Sequence, residues 1–216
     1  IVKSRVLTSR LLHSKISTLN LNISVFISAS AVGIYGAQVS DKIFTEEDQA
    51  FEDFMGNCCK QWENAVDQFK PITRTVKFRL GVILDENHGA LPRITNMVKN
   101  SLGSPLGDGK QYMPWIHIED AVNLFFEAIL KKNISGTFNA VSGDFIDNRN
   151  LTIKIWEELN NKIWLPNVPS FVLKFLYGEM SDTILKGVKV SNKKIKATGF
   201  KFKYEKIENA LREIYS

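Results

Sequence analysis

The sequence predicts an α/β fold on a mostly parallel sheet, and three observations carry that expectation. Segments with apolar residues at helical spacing alternate with short apolar runs along most of the 216 residues, the pattern of βαβ units. The runs are rich in β-branched residues and are bounded by Gly, Pro, Asn and Asp. One of them, FISASAVGIYG (26–36), passes through Ser28 and Ser30 into a Gly-containing turn. Two hydroxyls then sit at the carboxyl edge of a strand, where open parallel sheets bind ligands.

The elements follow in order. Residues 2–18 place Val2, Val6, Leu7, Leu11, Leu12 and Ile16 at helical spacing and read as a core helix. Residues 23–30 form the strand just quoted. Residues 37–50 are polar and acidic and read as a loop. In DFMGNCCKQWENAVDQFK, Phe54, Met55, Cys58, Cys59, Trp62, Val66 and Phe69 lie on one helical stripe. Residues 73–84, between Pro71 and DENHG, read as a strand, and residues 90–100 as a helix. A Gly- and Pro-rich turn then leads into a short extended piece ending at His117 and a helix over 119–131. GTFNAVSG is a further strand, and residues 151–161 are helical. PNVPSFVLKFLYGEMSDTIL holds a helix opened by its Pro and Ser residues. YEKIENALREIYS is a final amphipathic helix.

Composition excludes several classes. The chain is 44% hydrophobic and 24% charged, which is ordinary for a globular protein. No apolar run approaches the roughly 18 residues of a membrane span. The basic start of the chain lacks the Ser-rich character of a transit peptide. The net charge of +5 gathers in KGVKVSNKKIKATGFKFKYEK (186–206) and reads as a solvated face. With no zinc spacing and no aromatic–basic repeat, no nucleic-acid partner is expected. Cys58 and Cys59 are adjacent, which disfavours a disulfide. No further ligand is close enough for a metal site. The pair suits a reducing compartment, the cytoplasm. GSPLGDGK has neither a leading strand nor the spacing of a phosphate loop.

SASAVGIYG, DFMGNCCKQWENA, FRLGVILDENHGAL, GSPLGDGKQYMPWIHIEDAVNL, GTFNAVSG, LYGEMSDTIL and KATGFKFKYEKIENAL follow one another along the chain. In this order they resemble the atypical extended short-chain dehydrogenase/reductases known as epimerase family proteins. The resemblance covers nearly the whole chain, and G-x-P-L-G-x-G-x-Q-x-x-x-W-I-H-x-x-D is its most specific part. It implies a Rossmann-type sheet in which Ser28 and Ser30 end the fourth strand. The first three strands and the Gly-rich pyrophosphate turn would lie upstream, about 75 residues at the size of such units. The chain is therefore expected to be N-terminally truncated, as a product or as a fragment. Residues 1–143 would be the remainder of the NAD(P)-binding domain. Residues 144–216 would form a small, mostly helical, substrate-side lobe interleaved with 85–115. The implied cofactor is NADP or NAD, and the implied reaction is hydride transfer with an unknown carbonyl or nucleotide-sugar substrate.

The wider superfamily uses a Ser, a Tyr and a Lys, the last two spaced Tyr-x-x-x-Lys on one helix face. The Tyr exchanges a proton and the Lys lowers its pKa and holds the nicotinamide ribose. Those positions fall here on Met55 and Cys59. A thioether has no exchangeable proton and a thiol is a poor ribose clamp, so core packing is the other reading for both. The remaining catalytic candidates each have two readings. Ser28 and Ser30 bond a substrate oxygen or cap a turn. Tyr35 supplies a proton or packs. His117 carries a proton or is a hydrogen-bonded structural residue.

By resemblance, Arg5, Ser28, Arg79, Gly81 and Val82 approach the cofactor. Lys110 and Gln111 are expected to bond an anionic or carbonyl group. Trp115 stacks on a flat ligand or fills space, and Glu179, with Met180, lines the smaller domain's wall. One function is an NADP(H)-dependent oxidoreductase or epimerase-like enzyme acting on a small molecule. Another is a non-catalytic dinucleotide-binding or sensing protein. A third is a fragment that has no activity of its own, or that forms a homodimer to cover an open strand flank. Neither nucleic acid nor membrane is an expected partner.

Overall fold

The computed structural model describes residues 2–100, 103–160 and 166–216. Its central sheet is parallel, in the order β1 (Val25–Ala31), β3 (Arg74–Leu80), β6 (Gly136–Ala140). Ser28 stands opposite Lys77, Ser30 opposite Arg79, and Arg79 opposite Asn139. Two short parallel ladders accompany it. One joins β2 (Val39–Phe44) to β7 (Gly187–Val190), and the other β4 (Val82–Leu84) to β5 (Trp115–His117). Among the described residues β1 has a pairing neighbour on one side only.

The two faces of β3 differ sharply because side chains alternate along a strand. Val76 and Phe78 face one side and join a core with Ile116, Leu124 and Phe138, closed by α4 (Ile118–Leu130). Thr75, Lys77 and Arg79 face the other side, also buried. There they meet α2 (Phe54–Asp67), which opens on Asp53; its carboxylate accepts the Gly56 N–H at 2.7 Å. A second core joins α3 (Leu91–Lys99), α5 (Asn148–Glu158) and α9 (Ile207–Tyr215) through Leu91, Val98, Leu151, Ile155, Trp156 and Leu211.

Three elements depart from the sequence reading. The strand expected over 73–84 breaks at Gly81. Gly81 N–H donates to Ala140 O at 3.1 Å and Val82 N–H to Pro114 O at 2.7 Å, so the chain changes partners there. A Cβ at position 81 would stand 2.6 Å from Pro114 O, closer than any side chain tolerates. Residues 37–50, read as a loop, contain β2. Only Phe44 of that strand is buried, and its partner lies far downstream, so no local periodicity announces it. The helix α1 (Val2–Thr18) is not a core helix. Its inward stripe runs through Val6, Ser9 and His13, whose ring meets Phe69 edge-on at 5.3 Å. Leu7 and Leu11 point outward, 57% and 60% exposed.

Among the described residues no helix is long and apolar enough to cross a membrane, and no His, Cys, Asp and Glu group could hold a metal ion. Cys58 and Cys59 are both free and buried.

Candidate functional site

The carboxyl ends of β1 and β3 open onto a cleft of about 700 Å³. Val32, Gly33, Met55 and Val82 line its sheet side. Gln111, Asn148 and Ile184 line the side formed by the Gly-rich loop and the C-terminal third, and Arg93 and Lys186 add positive charge. Gly33 lies against α2 at Met55 and Cys59. A Cβ on it would be 3.3 Å from Met55 Cε and 3.9 Å from Cys59 Sγ. Met55 faces the cleft. Cys59 is buried, and burial, then Cys58 and Glu63, push its thiol up to about 11. It stays protonated at neutral pH and unreactive.

Ser30, Tyr35 and Arg79 come together, but with one another and not on the cleft. Arg79 grips Glu63 with two bonds, Nε to Oε1 at 2.8 Å and a terminal N–H to Oε2 at 3.0 Å. Ser30 Oγ donates to the same Oε1 at 2.7 Å. The other Arg79 terminal nitrogen donates to Tyr35 Oη at 3.0 Å, and Tyr35 Oη donates to Asn139 Oδ1 at 2.6 Å. Lys77 Nζ lies 2.7 Å from Asp67 Oδ1 and 3.5 Å from Glu63 Oε2. Burial alone would raise the Glu63 carboxyl, but Arg79, with Ser30 and Lys77, outweighs it and holds the group below the usual carboxylate range. For Tyr35 burial wins, against Arg79 and Asn139, and pushes the phenol up to about 12. The ring is fully buried, so its proton has no path to a ligand in this arrangement.

The other predicted residues are spread more widely. Ser28 is half-buried, and its hydroxyl donates to Ala29 O at 2.9 Å. Arg5 is exposed on α1, its guanidinium 5.0 Å from the Trp62 ring. Val82 lines the cleft, and Gly81 sits at the crossing just described. Lys110 is exposed, with its backbone N–H on Asp108 Oδ1. Trp115 is 1% exposed and fills the second core. Glu179 falls in a 3-10 turn (Gly178–Ser181); its side chain and that of Met180 lie outside the described part of the structure.

His117 caps α4, its Nδ1 accepting the Glu119 N–H at 3.2 Å, and its ring lies 4.0 Å from that of Tyr204. Burial lowers its pKa below 6.5, against the pull of Asp120 and Glu119. A neutral His in the fold gives stability that is complete above 6.5 and lost as pH falls through the lowered value. The melting temperature is expected to fall between pH 7 and pH 5, and less so in His117→Asn, which keeps a capping acceptor without the titration. Equal pH slopes in thermal melts of the two proteins would rule this out.

Sequence reasoning missed Glu63, Asn139, Asn148 and Arg93. A signal for the first existed. Lys77 and Arg79 alternate with Val76, Phe78 and Leu80, so both point to one face and need a buried carboxylate.

Residues 168–214 match a family model described as a domain of unknown function, DUF1731. Over all 216 aligned residues the sequence is 35% identical to the epimerase family protein YfhF of Bacillus subtilis, covering 99% of this chain and 70% of that protein. The chain belongs to the epimerase family. The epimerase family protein SDR39U1 homolog of Arabidopsis thaliana is 34% identical over 191 residues, 88% of this chain, and the chain spans about half of that relative's length, 54%. The crystal structure of human epimerase family protein SDR39U1 (isoform 2) with NADPH superposes with a TM-score of 0.91 at 27% identity, over 100% of this chain and 73% of that one. A nucleoside-diphosphate sugar epimerase from Corynebacterium glutamicum matches at 0.81 and 26% identity, over 99% of this chain and 42% of that one. This epimerase-family chain is thus an atypical extended short-chain dehydrogenase/reductase on a parallel, Rossmann-type α/β sheet, as its motifs imply.

Proposed function

We propose that this chain forms the nicotinamide and substrate side of an NADP(H)-dependent, epimerase-like oxidoreductase acting on a carbonyl or nucleotide-sugar compound. The observation that carries the reading is the cleft of about 700 Å³ at the carboxyl ends of β1 and β3, within the size range of small-molecule sites and at the edge where open α/β sheets bind ligands. NADPH in the human SDR39U1 structure supports the choice of coenzyme.

The residues present fit the nicotinamide end of such a group. Gly33 leaves the floor flat, since a Cβ there would stand 3.3 Å from Met55 Cε, and Val82 offers an apolar edge. Gly33, Met55 and Val82 would hold the ring, whose chemistry is hydride transfer. Arg93 would attract an anionic substrate, whereas the charge of Lys186 is answered by Asp182 at 2.8 Å. In this reading residues 1–143 supply the nicotinamide side and residues 144–216 the substrate side. Free Cys58 and Cys59 accord with a cytoplasmic location.

Met55 favours a second reading. It faces the cleft where a proton donor would be needed and has no proton to give, which suits a dinucleotide-binding or sensing protein without turnover. Titrating reduced nicotinamide mononucleotide, the half of the coenzyme that these residues would hold, against the chain and following its fluorescence tests what both readings share. Saturable binding is expected, weakened at least about tenfold in Gly33→Val, since a misfit in the ring's floor costs on the order of 1–3 kcal/mol. No binding, or binding indifferent to Gly33→Val, rejects both. NADPH oxidation driven by a carbonyl substrate would then separate the enzyme from the sensor.

A further inference from the structure

Away from Gly33 and Met55, the walls of the cleft are mostly hydrocarbon. Ile94, Leu106, Met113, Pro114, Ile184 and Val188 line it there. Much of the backbone polarity of these residues is spent within the protein. Leu106 N–H donates to Asn148 Oδ1 at 2.7 Å, and Met113 N–H to Ile146 O at 2.9 Å. Leu106 O and Ile184 O both accept from Gln111 Nε2, each at 3.1 Å. Pro114 O takes the Val82 N–H at 2.7 Å. The amide side chains add little. Gln111 and Asn148 are each 5% exposed. The Gln111 amide, expected from sequence to bond an anionic or carbonyl group, has both its protons engaged already.

Charge is as sparse. Among the described residues no carboxylate lines the cleft, and its two cations differ in what they have left to give. Lys186 is answered by Asp182 at 2.8 Å. Arg93 is exposed on α3, and no carboxylate among the described residues pairs with it. A nucleotide sugar brings two phosphates and several hydroxyls, and burying these against hydrocarbon without partners is costly. An apolar body is what such walls stabilise, in proportion to the area removed from water. Resting on the reading of this cleft as the substrate's, we infer that the substrate is an oxo acid with a hydrocarbon body and one acidic group. The body lies along Leu106, Ile184 and Val188. The acid meets Arg93 at the exposed rim, where the planar fork of a guanidinium fits a carboxylate with two bonds. Of the two substrate classes above, this selects the carbonyl compound.

The test uses the 216-residue chain without coenzyme, with hexanoate, octanoate and 1-octanol as probes of the body and the acid. Calorimetry gives the affinities, and the methyl NMR signals of Met113 and Ile184 place the bound chain. Octanoate is expected to shift both signals saturably. It should bind on the order of tenfold more tightly than hexanoate, since each of its two further methylenes adds about fourfold. It should also bind at least about threefold more tightly than 1-octanol, the worth of a hydrogen bond to a charged group. In Arg93→Gln, a change at an exposed position, the preference for the acid should vanish and the chain-length step should remain. Equal affinities for hexanoate and octanoate, shifts confined to other residues, or an Arg93→Gln protein that still prefers the acid would each overturn the inference. So would UDP-glucose shifting the same methyls at lower concentration than octanoate. A chain that shows the step but does not bind reduced nicotinamide mononucleotide keeps the apolar site and loses only the coenzyme reading. Binding of the mononucleotide without the step does the reverse.

Discussion

Glu63→Ala is expected to destabilise the fold by about 3–5 kcal/mol, the usual effect of removing one partner from a buried ion pair. Arg79 and Lys77 are 6% and 4% exposed. Without Glu63, Arg79 keeps only the Tyr35 hydroxyl at 3.0 Å and Glu46 O at 3.3 Å, which do not neutralise it. Lys77 retains Asp67. The double change Glu63→Leu with Arg79→Met should be less damaging than either single change, because it removes the desolvation of both charges together. Urea unfolding with an unchanged m-value reads these differences. A Glu63→Ala protein within about 0.5 kcal/mol of its parent would mean that the pair contributes nothing. The pH dependence has a definite sign. Glu63 titrates below its ordinary value in the fold, so its contribution is present above that ordinary value and lost as pH falls through the lowered one. The gap between parent and variant should therefore narrow in acid.

This network also shows which parts of the molecule local sequence can reveal. Helices α2 and α4 and strands β1 and β6 are set by periodicity and by flanking turn residues, and they stand near where those signals place them. The cleft's position follows from β1 ending in SASAVG at the carboxyl edge of a parallel sheet. What is not legible depends on pairings distant in sequence. The strand β2 exists because β7 lies beside it. Ser30 and Tyr35 stand out by their chemistry and Arg79 by the resemblance, but whether a polar side chain faces a ligand or a buried carboxylate depends on Glu63 and Asn139, which come from other elements. The orientation of Gln111 is likewise fixed by Leu106 and Ile184, so residue type alone left its polarity open.

Trp156→Ala is expected to cost about 3–5 kcal/mol, as for other large-to-small changes in a core, and to loosen the loop that carries Gln111. Trp156 lies on α5, which starts where Asp147 accepts the Asn150 N–H at 2.7 Å. The indole is 2% exposed within the core shared by α3, α5 and α9. Its Nε1 donates to Gly103 O at 3.0 Å, tying the start of the Gly-rich loop to the lobe. Gly103 fits so closely that a Cβ there would come within 2.5 Å of Val98 Cγ2, so the loop has little room to settle elsewhere. Trp156→Phe separates packing from tether. It keeps most of the ring and leaves Gly103 O without its donor, a loss of about 1–3 kcal/mol. Hydrogen exchange of the amides from Leu106 to Gln111 should quicken in both variants, more in the alanine. If Trp156→Phe leaves that exchange unchanged, the loop is anchored instead where Leu106 bridges to Val168, and the indole serves the core alone.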